Sequence, residues 1–262
     1  MIEADGLTKI YGKNGYLAVD ALTLKVPAGE LFGFLGPNGA GKTTTIKMLV
    51  GLLTPSSGKA QIDGHNIQTA SIAAKRQVGY VPDNPFLYEK LTGNEFMDFI
   101  ADLYGMESGT GRRKEIDKFL DLVGLTDRAD HLIGSYSRGM RQKMALASAL
   151  LHKPKALFLD EPTVGLDPSS IRKLKDILRT LCKEQGTAVF LSTHTQEVAA
   201  EICDRVGIFN KGRLIALDSP AELTRQSVSG KLEDVFLELT GSSAELTDSS
   251  AESTEEVGAT IL

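Results

Sequence analysis

The 262-residue chain has no tryptophan and only two cysteines. Cys182 and Cys203 lack metal-ligand spacing, so buried free thiols are expected rather than a zinc knuckle. No apolar run approaches the ~20 residues that a membrane helix needs. The start, MIEADGLTK, has no basic region followed by an apolar stretch, which argues against a secretory leader. A surplus of positive charge is missing too. Net charge is −5, and Glu245, Asp248, Glu252, Glu255 and Glu256 fall in the last 22 residues beside no Lys or Arg. Residues 1–240 therefore carry 29 acids and 29 bases. A neutral body of this kind gives no sign of a basic nucleic-acid surface, and no nucleic-acid partner is expected. The Ser/Thr/Glu-rich stretch 241–262 is poor in aromatics and is expected to be a disordered acidic tail.

What remains is ordinary in bulk. The 42% apolar and 24% charged fractions suit a globular chain long enough for a packed core. IEADGLTKIYG, ALTLKV and, after a Pro-Ala-Gly turn, ELFGFLG read as strands. Two strands joined through a short turn suggest an antiparallel β layer. TTTIKMLVGLL reads as a helix broken by TPSSG. KAQIDG and QVGYVP read as further strands.

The character changes near residue 85. LTGNEFMDFIADLYG opens with Thr92 and Glu95 at capping-box spacing. RRKEIDKFLDLVG has apolar residues at helical spacing, and the helical run MALASALL follows. Residues 86–152 are thus expected to form a helical subdomain set into a core of residues 1–85 and 153–240. Strands then return in KALFLDEP and TAVFLSTH. Between them runs a helix with Asp167 as N-cap and Pro168 at its first position. RVGIFNKGRLIALD reads as a hairpin, SPAELTRQ as a capped short helix, and KLEDVFLELTG as a last amphipathic one. Alternating strands and helices argue for an α/β fold interrupted by one helical insertion.

Three strand ends carry the chemistry. Gly36-Pro37-Asn38-Gly39-Ala40-Gly41-Lys42-Thr43 fits the P-loop pattern between an apolar strand and a helix. Its glycines let successive N–H groups turn toward phosphate oxygens, and the helix start adds its dipole. Lys42 is then expected at the β- and γ-phosphates, and the Thr43 hydroxyl on Mg²⁺. LFLDEP ends a strand in two acids. Asp160 suits the metal carboxylate of such ATPases, and Glu161 the group that polarises water, if the chain turns at the strand end. His194 ends TAVFLSTH, and strand C-termini of open α/β sheets face the ligand. A fourth stretch, SYSRGMRQK, places Ser137 and Gly139 before a helix, a second candidate anion-binding helix start.

GPNGAGKTT, YSRGMRQK, LFLDEP, GLD and STH, in that order, resemble the nucleotide-binding subunit of ABC transporters over about residues 1–240. The resemblance implies a P-loop NTPase core with an antiparallel β subdomain and an inserted α-helical subdomain. It implies ATP and Mg²⁺ as cofactors. Asn38, Gly39, Ala40, Gly41, Lys42, Thr43 and Thr44 would hold ATP, with Tyr11 stacked on adenine and Tyr16 as its rival. Thr43 and Asp160 would hold the metal, Glu161 would be the catalytic base, and His194 the switch histidine. Ser137 and Gly139 match the signature motif, written here YSRGM with Arg138 as an added charge where the commoner form is LSGGQ; Ser137, Arg138 and Gly139 would act on the ATP of a second cassette, and Asp167 matches the loop between the two subunits. Arg138 would touch phosphate or merely be solvated; the sequence leaves both open. The family's usual Gln after QVGYV is here Asp83, an acceptor only, expected to remain a metal-side group.

The implied function is an ATPase subunit at the cytoplasmic face of the membrane, powering integral permease subunits as one of two cassettes. The ending KLEDVFLELTG and the form YSRGMRQK resemble subunits of drug, antibiotic or lipid exporters. The competing reading is a soluble cassette ATPase without a membrane partner. Translation-type members carry two cassettes and repair-type members a long coiled-coil insertion. Here one cassette is present, and only 95 positions separate Lys42 from Ser137.

Overall fold

The computed structural model describes residues 1–12, 15–225 and 230–241. Apart from Gly241, the expected acidic tail lies outside the described residues. Strands β1 (Ile2–Tyr11) and β2 (Tyr16–Val26) pair antiparallel, and β4 (Ser57–Ile62) and β5 (His65–Asn66) complete a sheet of order β2-β1-β4-β5. The strand after the Pro27-Ala28-Gly29 turn corrects one expectation. β3 (Leu31–Leu35) does not extend this layer but enters a second sheet. The reason lies in its side chains. β2 alternates buried and exposed toward its end, as suits a sheet with one wet face, whereas LFGFL is buried at every position.

The second sheet runs β10-β9-β3-β8-β7-β6. Strands β6 (Val78–Val81), β7 (Ala156–Asp160), β8 (Ala188–Thr193), β3 and β9 (Arg205–Asn210) are parallel, and β10 (Arg213–Asp218) closes antiparallel on β9. The β9–β10 turn has Lys211 and Gly212 both at positive φ, 46° and 81°, the handedness that a two-residue hairpin requires.

Helix α1 (Lys42–Leu49) follows β3, and α2 (Ser71–Arg76) precedes β6. Helices α3 (Gly93–Leu103), α4 (Thr110–Val123) and α5 (Arg138–Leu150) fall between β6 and β7. The capping box of α3 is formed: Thr92 Oγ1 accepts from the Glu95 N–H, and Glu95 Oε2 accepts from the Thr92 N–H at 2.8 Å. α5 begins at Arg138, earlier than the run MALASALL suggests, so the signature residues are its N-cap and first turn. α6 (Pro168–Gln185) starts at Asp167 and stops at Gly186, which takes the left-handed conformation. α7 (Gln196–Ile202), α8 (Pro220–Arg225) and α9 (Leu232–Thr240) pack together at the far end. α2 and α7, of 6 and 7 residues, lack the length for a readable helical period.

The parallel strands send different residues to their two faces. Phe32, Phe34, Phe158, Phe190 and Phe209 join α1 and the antiparallel sheet in one core cluster. Leu31, Leu35, Leu157, Leu159, Val189 and Leu191 join α3–α7 in the other. The period of two along each strand does this sorting. Each such buried side chain contributes about 1.5–3 kcal/mol. The six-stranded sheet is thereby held on both faces, and its strand ends become fixed mounts for polar groups.

Candidate active site

The loop between β3 and α1 has little choice of residue. A Cβ on Gly36 would stand 2.4 Å from the Phe209 carbonyl oxygen. One on Gly41, at φ +108°, would stand 2.3 Å from the Ala18 carbonyl oxygen. No side chain caps α1, which leaves its first N–H groups without a side-chain partner. Lys42 is 7% exposed, and its Nζ donates to the Gly36 carbonyl at 2.5 Å and the Pro37 carbonyl at 3.3 Å.

The two acids after β7 reach the same cleft by a backbone turn. Adjacent strand residues point to opposite faces, but Glu161 sits at φ 50°, in the left-handed region. That conformation costs a residue with a Cβ about 1–2 kcal/mol. The Glu161 N–H donates to the Ser192 carbonyl at 3.1 Å, and the Val164 N–H to the Glu161 carbonyl at 3.2 Å, which holds the turn. Glu161 Oε1 lies 3.5 Å from Lys42 Nζ, and Oε2 lies 2.9 Å from His194 Nδ1 and 3.3 Å from the His194 backbone nitrogen. Asp160, 2% exposed, accepts on Oδ2 from the Thr43 hydroxyl at 2.9 Å and on Oδ1 from the Ser192 hydroxyl at 2.5 Å. Burial, with the Asp160 charge beside it, pushes the Tyr80 phenol up to about 12, so it stays protonated.

A cavity of about 340 Å³ is bounded by Tyr11, Tyr16, Asn38, Gly39, Gly41, Lys42, Thr43, Thr44, Asp83, Asp160 and Glu161, among others. Ala40, also singled out as nucleotide-side, is 3% exposed and is not among the residues lining this cavity. Both tyrosines are present, as the opposed last pair of the β1–β2 hairpin. Tyr11 is the better anchored: its hydroxyl is 3.5 Å from Thr44 Oγ1 and Lys9 Nζ lies 5.3 Å from its ring.

Ser137, Arg138, Gly139 and Asp167 do not line this cavity. Ser137 caps α5 with its own oxygen, which accepts from the Met140 N–H at 3.3 Å. Arg138 reaches Asp83 at 3.4 Å and lies over Gly165. The Gln142 amide donates to the Pro82 carbonyl at 3.5 Å, and Arg141 pairs with Glu89 at 2.5 Å. Three contacts from the first turn or so of α5 thus tie its start to the segment after β6. Asp167 spends its oxygens on its own helix. Hydrogen bonds from the Ser169 and Ser170 side chains, then from the Ser170 backbone, hold its carboxyl well below the usual range.

For a divalent cation, Thr43 and Asp160 present hard oxygens side by side and no soft donor. Mg²⁺ takes one or two protein oxygens of this kind, completing its shell with phosphates and water. The residues fit that ion. Sequence reasoning missed Ser192 and Tyr80. Ser192 was legible in principle, because ALFLD and AVFLS match position by position.

Comparison with known proteins follows the same lines. Residues 19–164 match a family model described as ABC transporter. An ABC transporter ATP-binding protein of Bacillus subtilis (strain 168), YhcH, described as uncharacterized, is 43% identical over 84% of this chain and 70% of its own. A fluoroquinolones export ATP-binding protein of Mycobacterium tuberculosis (strain CDC 1551 / Oshkosh) is 43% identical over 85% of this chain and 72% of its own. Among solved structures, the dimeric post-hydrolysis state of the ATP-binding cassette MJ0796, bound to ADP and Pi, superposes with a TM-score of 0.78. It is 27% identical, covering 84% of this chain and 98% of that one.

Proposed function

Since this chain belongs to the ABC transporter family, we propose that it is the motor of an exporter, binding and hydrolysing ATP to drive separate membrane subunits. ATP hydrolysis and the P-loop α/β fold come with the family. So does work as one of two cassettes beside membrane components. The finer reading puts the cassette at the cytoplasmic face of the cell membrane, with residues 86–152 as the part that meets the permease. Among the described residues no helix is long and apolar enough to cross a membrane.

The observation that carries the reading is the meeting of Lys42, Thr43, Asp160 and Glu161 around one cleft, from segments more than a hundred positions apart. A triphosphate there takes the donors at the start of α1 and draws Lys42 off its own loop carbonyls. Tyr11 stacks on the base. Mg²⁺, held by Thr43 and Asp160, would neutralise developing phosphate charge. Glu161, released from Lys42, orients water, and His194 keeps its carboxylate aimed. Ser137 and Gly139 stand apart from this cleft, so they serve the nucleotide of a second, head-to-tail chain. Two surfaces flanking a triphosphate repel unless donors on both sides neutralise it, so ATP favours the closed pair.

The test is Glu161→Gln. It keeps the shape but removes the base, so with Mg-ATP it should run as a dimer on gel filtration. Elution as a monomer would count against a shared site.

A further inference from the structure

We propose that Ser192 is a positioning residue for the metal carboxylate. It holds Asp160 so that one oxygen stays aimed at Thr43. The inference deepens the reading above and rests on Thr43 and Asp160 as the cation's protein ligands.

Three observations carry it. The first is register. β7 and β8 run parallel with Ala156 beside Ala188, Phe158 beside Phe190 and Asp160 beside Ser192. Phe158 and Phe190 belong to the cluster that includes α1, so by the period of two Asp160 and Ser192 face α1 as well. Neighbouring strands lie about 4.8 Å apart, a spacing that a serine hydroxyl and a carboxylate bridge directly.

The second is burial. Ser192 is 0% exposed and Asp160 is 2% exposed. A carboxylate taken this far from water needs a donor on each oxygen. Its oxygens divide cleanly, Oδ1 to Ser192 and Oδ2 to Thr43. The third follows from the chemistry of the second. A cation held by Thr43 and Asp160 would draw on the Thr43 hydroxyl oxygen and on Oδ2, leaving Oδ1 with the Ser192 hydroxyl. Ser192 is then the side chain that still fixes the carboxylate plane.

The strand end therefore divides its work. Ser192 serves Asp160 through its hydroxyl, and His194 serves Glu161 through its ring and backbone N–H. Two adjacent acids are held in different orientations by Ser192 in β8 and by His194 just past its end.

The experiment uses the full chain with Ser192→Ala, Ser192→Cys and Ser192→Thr. Fluorescent ATP binding is measured in EDTA and across a Mg²⁺ titration, with thermal unfolding alongside. Outer-shell partners of a metal ligand typically govern affinity by 10–100-fold. Ser192→Ala is expected to raise the Mg²⁺ concentration for half-maximal nucleotide binding about 10-fold or more. Metal-free binding should change less than about twofold, Ser192→Thr should restore most of the loss, and Ser192→Cys, a weaker donor of similar size, should fall between. An unshifted Mg²⁺ requirement in both the Ala and Cys variants overturns the proposal. So does an equal loss of metal-free binding, which would mark a merely structural serine. If the unsubstituted chain binds ATP identically with and without Mg²⁺, the metal reading itself fails, and that result is visible before any variant is made.

Discussion

Helix α1 starts behind Gly41 with no side chain capping it, whereas α5 starts behind Ser137, whose own oxygen takes the Met140 N–H. Both starts follow small residues, yet they sit in opposite settings. At α1 the glycines are demanded from within: Gly36 and Gly41 have other backbone oxygens where a Cβ would go. At α5 a Cβ on Gly139 would meet only ordinary contacts, 3.5 Å from the Gly165 carbonyl and 3.6 Å from Leu166. Lys42 is buried, while the Arg138 side chain is 59% exposed. The first start is complete inside one chain. The second has room that its own fold does not use, the feature that the proposed shared site needs.

The sharpest way to break that contrast is to remove the charge at α1. Lys42→Ala should cut hydrolysis by about 10³-fold and weaken nucleotide binding by the isolated chain, since a preorganised donor is lost from both. Gly139→Asp should cut hydrolysis by about 10²-fold, read as phosphate release, yet leave ATP affinity of the isolated chain within about twofold. A matching loss of monomer affinity would erase the distinction between the two starts. Stability sharpens it further. Gly41→Ala should cost more than about 2 kcal/mol in urea unfolding, because the conformation and the space both exclude a Cβ. Gly139→Ala should be neutral or gain about 0.5 kcal/mol, as glycine does in a helix turn with room. The smallest effect is the Asp83–Arg138 pair, exposed on both sides. A double-mutant cycle through Asp83→Asn and Arg138→Gln should give a coupling below about 1 kcal/mol.

That last pair shows how the site was only partly legible. Asp83 and Arg138 each departed from the family pattern, one as a lost donor and one as an added charge. Nothing local says that they face each other across 55 positions. The signals that did read well were short-range: the Thr92–Glu95 capping box, Asp167 before Pro168 and the Asn-Lys-Gly hairpin. Each is a backbone requirement met by neighbours within a few residues. β3 misled for the opposite reason. The Pro27-Ala28-Gly29 turn set its direction change, but its all-buried face sent it to the other sheet.

The residues by themselves determined where glycines, caps and acids stand, because turn geometry and helix ends are settled within a few positions. They also determined which strand residues share a face, since a period of two needs no partner. The tertiary structure alone decided what stands opposite. It turned Glu161 into the left-handed region beside Lys42, put Ser192 against Asp160, and joined Asp83 to Arg138. Register between strands and the approach of a helix to a loop come from packing over many contacts. No short stretch encodes them, and the acids get their roles from those neighbours.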